Sequence, residues 1–283
     1  MEPGTPSQTA MMAATARGLH RLEAAPPWVF DDAFALVLVG PAWRDVRDEL
    51  VQFLTEPLLR VTSAMTVCRS RYTEERLARG AFEQYVLLGA GLDTFAWRRP
   101  DALAAGLRVF EVDHPDTQRW KLGRIEALGL PLSDGHVFAP VDFEVETITA
   151  GLDRVGFDWS KPTFVSWLGV MPYLTVEANE AALRALAKCA PRSEVVMTYG
   201  TAEPLMDDVG RQCYAGFAAL AASKGERFQV LFTPEEAEAL VRRCGLEVAD
   251  HPCGDALHHY FAGRPDGLSP SVFEQALTAV VPS

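Results

Sequence analysis

The sequence predicts an α/β protein with a seven-stranded, mostly parallel sheet covered by helices on both faces. Short apolar runs alternate with longer stretches of helical periodicity from residue 84 onward, a pattern typical of parallel sheets. The last two predicted strands, 245–250 and 258–263, are joined by about seven residues, too few for a parallel crossover. We therefore expect six parallel strands and an antiparallel last strand.

The remaining elements follow from the same periodicities. Residues 9–79 show helical periodicity interrupted by prolines, so we expect a helical N-terminal cap. Residues 1–8 are expected to form a disordered tail, and residues 80–283 the core, with a helical lid insertion near 204–223. The predicted strands are 84–89, 107–113, 136–141, 163–169, 194–200, 245–250 and 258–263, and the predicted helices are 93–104, 116–128, 144–155, 177–190, 205–223 and 234–243.

Composition limits the classes of function. The net charge of −12 disfavours a sequence-independent nucleic-acid binder and an anionic membrane surface as partner. The five cysteines are scattered without a C-x-x-C pair, so neither a disulfide framework nor a metal site is indicated. Long apolar stretches and a signal-peptide pattern are both absent from the sequence, and we expect a cytoplasmic protein.

Two glycines and three acids indicate a site for a nucleoside cofactor. Gly89 and Gly91 follow the first predicted strand, where glycine lets the backbone approach a ligand closely. Asp93 follows at once. The second strand ends in Glu111 and Asp113, at the spacing where an acid can accept hydrogen bonds from a ribose.

The same loop helps to identify the cofactor. A dinucleotide loop usually has a third glycine, in the pattern G-x-G-x-x-G, but here Thr94 and the bulky Phe95 stand in its place. Asp93 at the helix start would repel a diphosphate. A nicotinamide oxidoreductase is therefore disfavoured. S-adenosyl-L-methionine, which carries a ribose but no phosphate, fits better.

The sequence also resembles a known family. From Thr9 to about Phe261 it is similar to the leucine carboxyl methyltransferases, whose bacterial branch includes polyketide O-methyltransferases of the tetracenomycin type. The resemblance implies a Rossmann-like class I methyltransferase fold that binds S-adenosyl-L-methionine. The segments that carry it are Cys68–Tyr72, Leu87–Thr94, Phe110–Pro115, Pro140–Phe143 and Phe164–Thr175.

The resemblance implies roles for individual residues. Gly89 and Gly91 would pass beneath the cofactor, and Asp113 would hold the ribose hydroxyls. An arginine of the block Arg69-Ser70-Arg71 would pair with the cofactor carboxylate, because a guanidinium grips both oxygens. The full set of expected cofactor-binding residues is Arg69, Gly89, Gly91, Asp93, Glu111, Asp113, Asp142, Phe143 and Trp167, with Asp142 and Phe143 around the adenine.

Trp167 departs from the family pattern. Related sequences often have a glutamate at this position, at the end of the fourth strand. A tryptophan ring cannot accept a hydrogen bond there, but it could stack on the cofactor or the substrate. The change argues against a protein carboxylate as the substrate.

The catalytic residues are not fixed by the sequence, and Arg71, Tyr199 and His114 are the candidates. A carboxylate acceptor is already ionised and needs only orientation, whereas a hydroxyl acceptor needs a base. Each candidate also has a structural alternative: an ion pair on a helix face for Arg71, core packing for Tyr199 and shaping of a turn for His114. Asp142 could likewise cap the helix predicted at 144–155.

These observations favour an O-methyltransferase that acts on a carboxylate or hydroxyl of a small molecule, with a polyketide-type secondary metabolite as one candidate. The alternatives are a protein carboxyl methyltransferase and a non-catalytic protein that binds S-adenosyl-L-methionine. We expect a small-molecule methyl acceptor, no metal, and a monomer or homodimer.

Overall fold

Seven strands form one sheet in the computed structural model, which describes residues 6–143, 145–223 and 227–283. The order across the sheet is β3-β2-β1-β4-β5-β7-β6. The strands are β1 (Gln84–Leu88), β2 (Arg108–Asp113), β3 (His136–Pro140), β4 (Thr163–Trp167), β5 (Glu194–Gly200), β6 (Glu247–Asp250) and β7 (Glu274–Val280).

The sheet is parallel except at its last strand. Val86 of β1 pairs with Phe110 of β2 on one side and with Val165 of β4 on the other, in parallel register. β7 runs antiparallel to both of its neighbours, β5 and β6. The predicted topology is therefore confirmed.

The position of the last strand was predicted wrongly. The structure places it at Glu274–Val280, whereas the predicted strand 258–263 overlaps a 3-10 helix at Ala256–Phe261. The apolar residues of that helix imitate a strand in the sequence, but Phe261 packs against Val67, and Tyr260 donates a hydrogen bond to Glu75. The segment therefore packs against the α-helix Glu56–Arg79 and not against a neighbouring strand.

Eleven α-helices surround the sheet within the described residues. Val86, Phe110 and Trp167 contribute to the core on one sheet face, whereas Tyr85 and Val109 contribute to the core on the other. The helices are α1 (Gln8–Glu23), α2 (Ala35–Val39), α3 (Trp43–Phe53), α4 (Glu56–Arg79), α5 (Phe95–Arg98), α6 (Pro100–Ala104), α7 (Pro115–Leu128), α8 (Ile148–Arg154), α9 (Val176–Leu186), α10 (Asp208–Ser223) and α11 (Pro234–Arg243).

Local sequence signals explain where several helices begin or end. Thr233 and Glu236 form a capping box at the start of α11. The helix predicted at 93–104 is broken into α5 and α6 at Pro100, because proline cannot continue a helix. α8 begins later than predicted and is capped by Thr147, so Asp142 is not its cap. Glu144, in the same predicted helix, lies outside the described residues.

The N-terminal helices pack together beside the loop that follows the central strand β1. Met12 of α1, Leu50 of α3 and Leu220 of α10 belong to one buried cluster. α10, which lies in the predicted lid region, packs against the N-terminal helices. Residues 1–5 of the predicted tail lie outside the described residues, and Ser7 caps α1 at its first turn.

A buried carboxylate, Asp32, fixes this helical layer to the loop after β1. Its oxygens accept hydrogen bonds from Arg17 Nε at 2.6 Å and Thr94 Oγ1 at 2.7 Å, and Arg98 Nε lies 3.8 Å away. Arg17 also donates to the carbonyl of Leu92. Burial alone would raise the pKa of Asp32, but the two guanidinium groups outweigh it and lower that pKa below its usual value.

Three further features concern sequence-based expectations. All five cysteines are free thiols, and four of them are buried. Among the described residues, no helix combines the length and the apolarity needed to span a bilayer. The same residues contain no group of three or more histidine, cysteine, aspartate or glutamate side chains arranged to hold a metal ion.

Replacement of Asp32 by alanine is expected to lower the free energy of unfolding by about 3 kcal/mol, because it leaves buried guanidinium groups without their partner. Asp31→Ala is the matched control, since the neighbouring Asp31–Arg21 pair is exposed and its loss should cost less than about 1 kcal/mol. Urea unfolding at pH 7 measures both variants. Because the pKa of Asp32 is lowered in the folded state, the difference from the wild type should shrink below about pH 4. Equal losses of unfolding free energy in the two variants would show that Asp32 is not a buried partner of the guanidinium groups.

Candidate active site

The loop after β1 is shaped by two glycines with positive φ. Gly89 has φ of 73° and Gly91 of 51°. A Cβ at Gly89 would lie 2.6 Å from Val170 Cγ2, and one at Gly91 would lie 2.9 Å from Ala10 Cβ. Both the backbone conformation and the close neighbours therefore exclude side chains here.

Asp113, at the end of β2, is tied to this loop. Its Oδ2 accepts a hydrogen bond from the Gly91 N–H at 2.6 Å, and its Oδ1 accepts one from the His114 N–H at 2.7 Å. Burial raises the pKa of Asp113, although the two N–H groups oppose the shift. Each oxygen keeps a second lone pair, which is what a ribose diol needs.

The glycine loop and the Asp113 carboxylate border a groove of about 240 Å³, which we call the cofactor groove. Of the nine residues expected to bind the cofactor, six line it: Arg69, Gly89, Gly91, Asp93, Asp113 and Phe143. Asp93 also accepts a hydrogen bond from the Phe95 N–H through its side chain, at 2.7 Å. This bond holds the start of α5 in place. Phe143 is 41% exposed, and its ring is free to cover a ligand.

Glu111 does not reach the groove, which corrects the sequence-based expectation. It is completely enclosed, with Lys121 Nζ at 2.5 Å and His136 Nε2 at 2.8 Å. Burial alone would raise the pKa of Glu111, but Lys121 and His136 outweigh it and hold that pKa below its usual value. Lys121 also donates to the Asp93 carbonyl. Glu111 therefore supports the loop from below.

Trp167 is also placed differently from the expectation. It is 1% exposed and belongs to the apolar core with Phe110 and Val165. Its strand neighbour Ser166 faces the other way and lines the groove. Because strand residues alternate between the two faces of a sheet, the ring points away from the cofactor site and cannot stack on a ligand there.

Asp142 lies beside the groove, next to His114. The distance from His114 Nε2 to Asp142 Oδ2 is 3.8 Å. His114 caps α7, and its Nδ1 accepts a hydrogen bond from the Asp116 N–H. The turn-shaping alternative for His114 therefore describes its contacts, and the adenine contact expected for Asp142 stays a prediction.

A larger cavity of about 810 Å³ adjoins the groove. Ser7, Thr9, Ala13, Arg69 and Gly169 line both spaces. The remaining walls come mainly from α1, α3, α4 and α10, and they combine apolar side chains with polar ones such as Thr62 and Thr66. Their larger side chains are Met12, Leu50, Met65, Tyr173, Phe217, Leu220, Phe228 and Phe273. We refer to this space as the acceptor cavity.

An ion pair lies where the two spaces meet. Arg69 Nη1 donates to Glu274 Oε1 at 2.6 Å, and the Thr198 hydroxyl donates to the same oxygen at 2.8 Å. The Gly169 N–H donates in turn to Thr198 Oγ1. Of the two arginines in its block, Arg69 is the one that lines the groove, and its guanidinium has further N–H donors, whereas its contact with a cofactor carboxylate stays a prediction.

The other two catalytic candidates lie elsewhere. Arg71 pairs with Glu75 at 2.9 Å and stacks on the Tyr260 ring, on a different side of α4 from Arg69. Tyr199 is fully buried in the core, and its hydroxyl is 2.9 Å from His251 Nε2. Burial raises the pKa of Tyr199 well above its ordinary value. Ion pairing on a helix face for Arg71 and core packing for Tyr199 therefore describe the observed contacts.

Sequence reasoning missed several residues of the site. Ser7 lies in the predicted tail, although a serine one residue before a helical pattern is a capping signal that could have been recognised. Arg17 and Glu274 lie far from the glycine loop in sequence, and the residues around them form no motif that predicts their positions. Only the packing of α1 and the pairing of β7 bring them to the site.

The geometry agrees with comparisons to known proteins. A family model described as leucine carboxyl methyltransferase matches residues 10–187, well over half of the sequence. The chain belongs to this family. A Bacillus subtilis relative, YktD, is 33% identical over 95% of this chain and 96% of its own length, and is by name a candidate S-adenosyl-L-methionine-dependent methyltransferase. A Mycobacterium ulcerans relative with the same description is 32% identical over 67% of this chain and 63% of its own.

Two crystal structures share the fold of this methyltransferase. A duf574 family protein from Streptomyces avermitilis aligns with a TM-score of 0.64 at 17% identity, covering 99% of this chain and 98% of that one. A candidate methyltransferase from Thermobifida fusca aligns with a TM-score of 0.65 at 18% identity, covering 97% and 94%. The chain is therefore an S-adenosyl-L-methionine-dependent methyltransferase with a Rossmann-like fold.

Asp113 and Glu111 are expected to respond differently to substitution. Asp113→Ala should weaken S-adenosyl-L-homocysteine binding by about 100-fold, because it removes the two hydrogen bonds that the ribose hydroxyls are expected to donate to the Asp113 carboxylate. Glu111→Gln should keep most of the affinity but lower the unfolding free energy by about 3 kcal/mol, because Lys121 loses its buried partner. Calorimetry and urea unfolding separate the two outcomes. Unchanged affinity in Asp113→Ala would show that the ribose assignment is wrong.

Proposed function

We propose that this methyltransferase transfers the methyl group to an oxygen, of a carboxylate or a hydroxyl, on a hydrophobic small molecule. The observation that carries the proposal is the acceptor cavity, which opens directly onto the cofactor groove at Arg69 and Gly169. Its volume of about 810 Å³ is in the range of small-molecule pockets. A compound held there can present an oxygen to the sulfonium.

The lining of the cavity supports a flat, apolar acceptor. Phe217, Phe228 and Phe273 lie close together, with ring centroids 5.9 and 6.0 Å from Phe273. Aromatic side chains of this kind pack well against fused rings. An aromatic metabolite of polyketide type is therefore a good match in shape and polarity.

Little chemistry is required of the protein in this reaction. The cofactor supplies an activated methyl group on a positively charged sulfur. Methyl transfer is an in-line displacement, so holding the acceptor oxygen in line and excluding water provide most of the acceleration. The N-terminal helices serve both purposes, because α1 borders the groove and the acceptor cavity together.

A protein carboxylate is the second candidate acceptor, and the family description favours it. Against it, the walls formed by α1, α3 and α10 surround the cavity with apolar side chains suited to a compact ligand. A non-catalytic cofactor sensor is a third possibility. The large second cavity beside the groove argues against it, since a sensor needs no acceptor space.

Filling the acceptor cavity should block transfer without affecting cofactor binding. Ala221 lines the acceptor cavity but not the cofactor groove, so Ala221→Trp should remove most of the methyl transfer and leave S-adenosyl-L-homocysteine affinity unchanged. The neighbouring Ala222 is exposed, and Ala222→Trp is the matched control. Transfer of labelled methyl groups into a bacterial metabolite extract measures both variants. Label found on protein instead of a small molecule would overturn the proposal.

A further inference from the structure

The acceptor cavity is almost without charge. Among its described lining residues, Arg69 is the one cationic side chain and Glu274 the one acidic side chain. They are paired with each other at 2.6 Å and are only partly accessible, at 18% and 12% of their side-chain surface. An acceptor entering the cavity therefore meets a neutral pair rather than an unpaired cation.

The neutral pair bears on which acceptor fits. A carboxylate acceptor would bring a negative charge beside Glu274, in a partly desolvated place where repulsion between like charges is strong. The charge of Arg69 is already neutralised by Glu274, so Arg69 can offset only part of that repulsion. A neutral hydroxyl has no such penalty, and it can donate a hydrogen bond to a carboxylate.

One oxygen of Glu274 is available for that bond. Both of its hydrogen bonds, from Arg69 and from Thr198, go to Oε1. Oε2 has no partner among the described residues, and Glu274 lines the acceptor cavity. Two groups, Arg69 of α4 and Thr198 of β5, therefore orient the carboxylate of Glu274 and leave its Oε2 free to accept a further hydrogen bond.

We propose that Glu274 is the general base of this methyltransferase and that its acceptor is a phenol-type hydroxyl rather than a carboxylate. The inference rests on the proposed small-molecule O-methylation and narrows its substrate class. A general base within hydrogen-bond reach of a hydroxyl proton is what methylation of a neutral oxygen needs, whereas a carboxylate needs none.

The acceptor O–H bond breaks and its proton passes to Glu274 Oε2, while the oxygen forms a bond to the methyl carbon. The bond from that carbon to sulfur breaks, and its electron pair stays on sulfur. The products are a methyl ether, neutral S-adenosyl-L-homocysteine and protonated Glu274, which later releases its proton to water.

Other titratable groups surround the pair. Cys68 and His258 line a small void of about 30 Å³ that also borders Arg69 and Glu274, and Tyr173 lines the acceptor cavity. Burial raises the pKa of Cys68 to about 12, so the thiol stays neutral near pH 7. The buried Nε2 of His258 has no partner within the described part of the chain. Of these groups, Glu274 is the one carboxylate that lines the acceptor cavity.

The first test uses matched pairs of probes on two ring systems: 2-naphthol with 2-naphthoate, and 9-phenanthrol with phenanthrene-9-carboxylate. Calorimetry at pH 7.5 with S-adenosyl-L-homocysteine present gives their affinities. The wild type should bind each phenol at least about tenfold more tightly than its carboxylate. Glu274→Gln should reduce or reverse this preference, because Arg69 is then released. Equal or tighter binding of the carboxylates by the wild type would overturn the inference.

The second test is the pH dependence of methyl transfer to the phenols. The wild-type rate should be nearly constant from pH 6.5 to 8.5. Glu274→Gln should be about 10²- to 10⁴-fold slower at pH 7. Its rate should rise about tenfold per pH unit toward pH 10, because only the ionised phenol then reacts. A parallel profile for variant and wild type, or binding of the phenols without transfer, would overturn the assignment of the base.

A matched control separates this role from a structural one. Glu194 forms a similar partly buried pair with Arg76, at the other end of the β5–β7 ladder and outside both cavities. Glu194→Gln should therefore keep the wild-type profile and the wild-type affinity for S-adenosyl-L-homocysteine, and Glu274→Gln should still bind S-adenosyl-L-homocysteine. Failure of every probe to bind the wild type would overturn the proposed function itself, whereas transfer to the carboxylates alone would overturn only the inference about Glu274.

Discussion

The buried carboxylate of Asp32 is the constraint on which the site geometry depends. It is 1% exposed and would be unstable without the guanidinium groups of Arg17 and Arg98. Arg17 belongs to α1 and also binds the Leu92 carbonyl, so the network joins the N-terminal helix to the loop after β1. Because α1 is held there, it can border the cofactor groove and the acceptor cavity at the same time. A single desolvated charge thereby positions the helical layer that borders both spaces.

The two acids of β2 show how position in a sheet decides the role of a side chain. Glu111 and Asp113 point to the same face, but Asp113 lies at the carboxyl end, where parallel strands leave an open crevice. Glu111 lies two residues further back, beneath α7, and is enclosed by Lys121 and His136. Both acids act on the same loop. Asp113 contacts Gly91 directly, whereas Glu111 holds Lys121, which supports the Asp93 carbonyl.

The junction between the two cavities joins distant parts of the chain. Arg69 comes from the N-terminal helical layer, Thr198 from β5 and Glu274 from β7, and all three meet within hydrogen-bond distance. The antiparallel last strand is essential to this arrangement, since its register places Glu274 opposite Gly200, at the carboxyl end of β5. The family model matches residues 10–187, whereas Glu274, the base that we propose, lies outside that segment.

Local physics alone determined much of this protein. Alternating periodicities predicted the parallel strands, and the steric needs of Gly89 and Gly91 predicted the cofactor loop. The antiparallel last strand was expected but was placed at 258–263 instead of Glu274–Val280. Only the tertiary structure decided which sheet face receives Trp167 and which arginine, Arg69 or Arg71, meets the groove. It alone brought Glu274 to the site. Those outcomes depend on helix rotation, strand register and contacts between residues about two hundred positions apart, which a sequence pattern read over short windows does not contain.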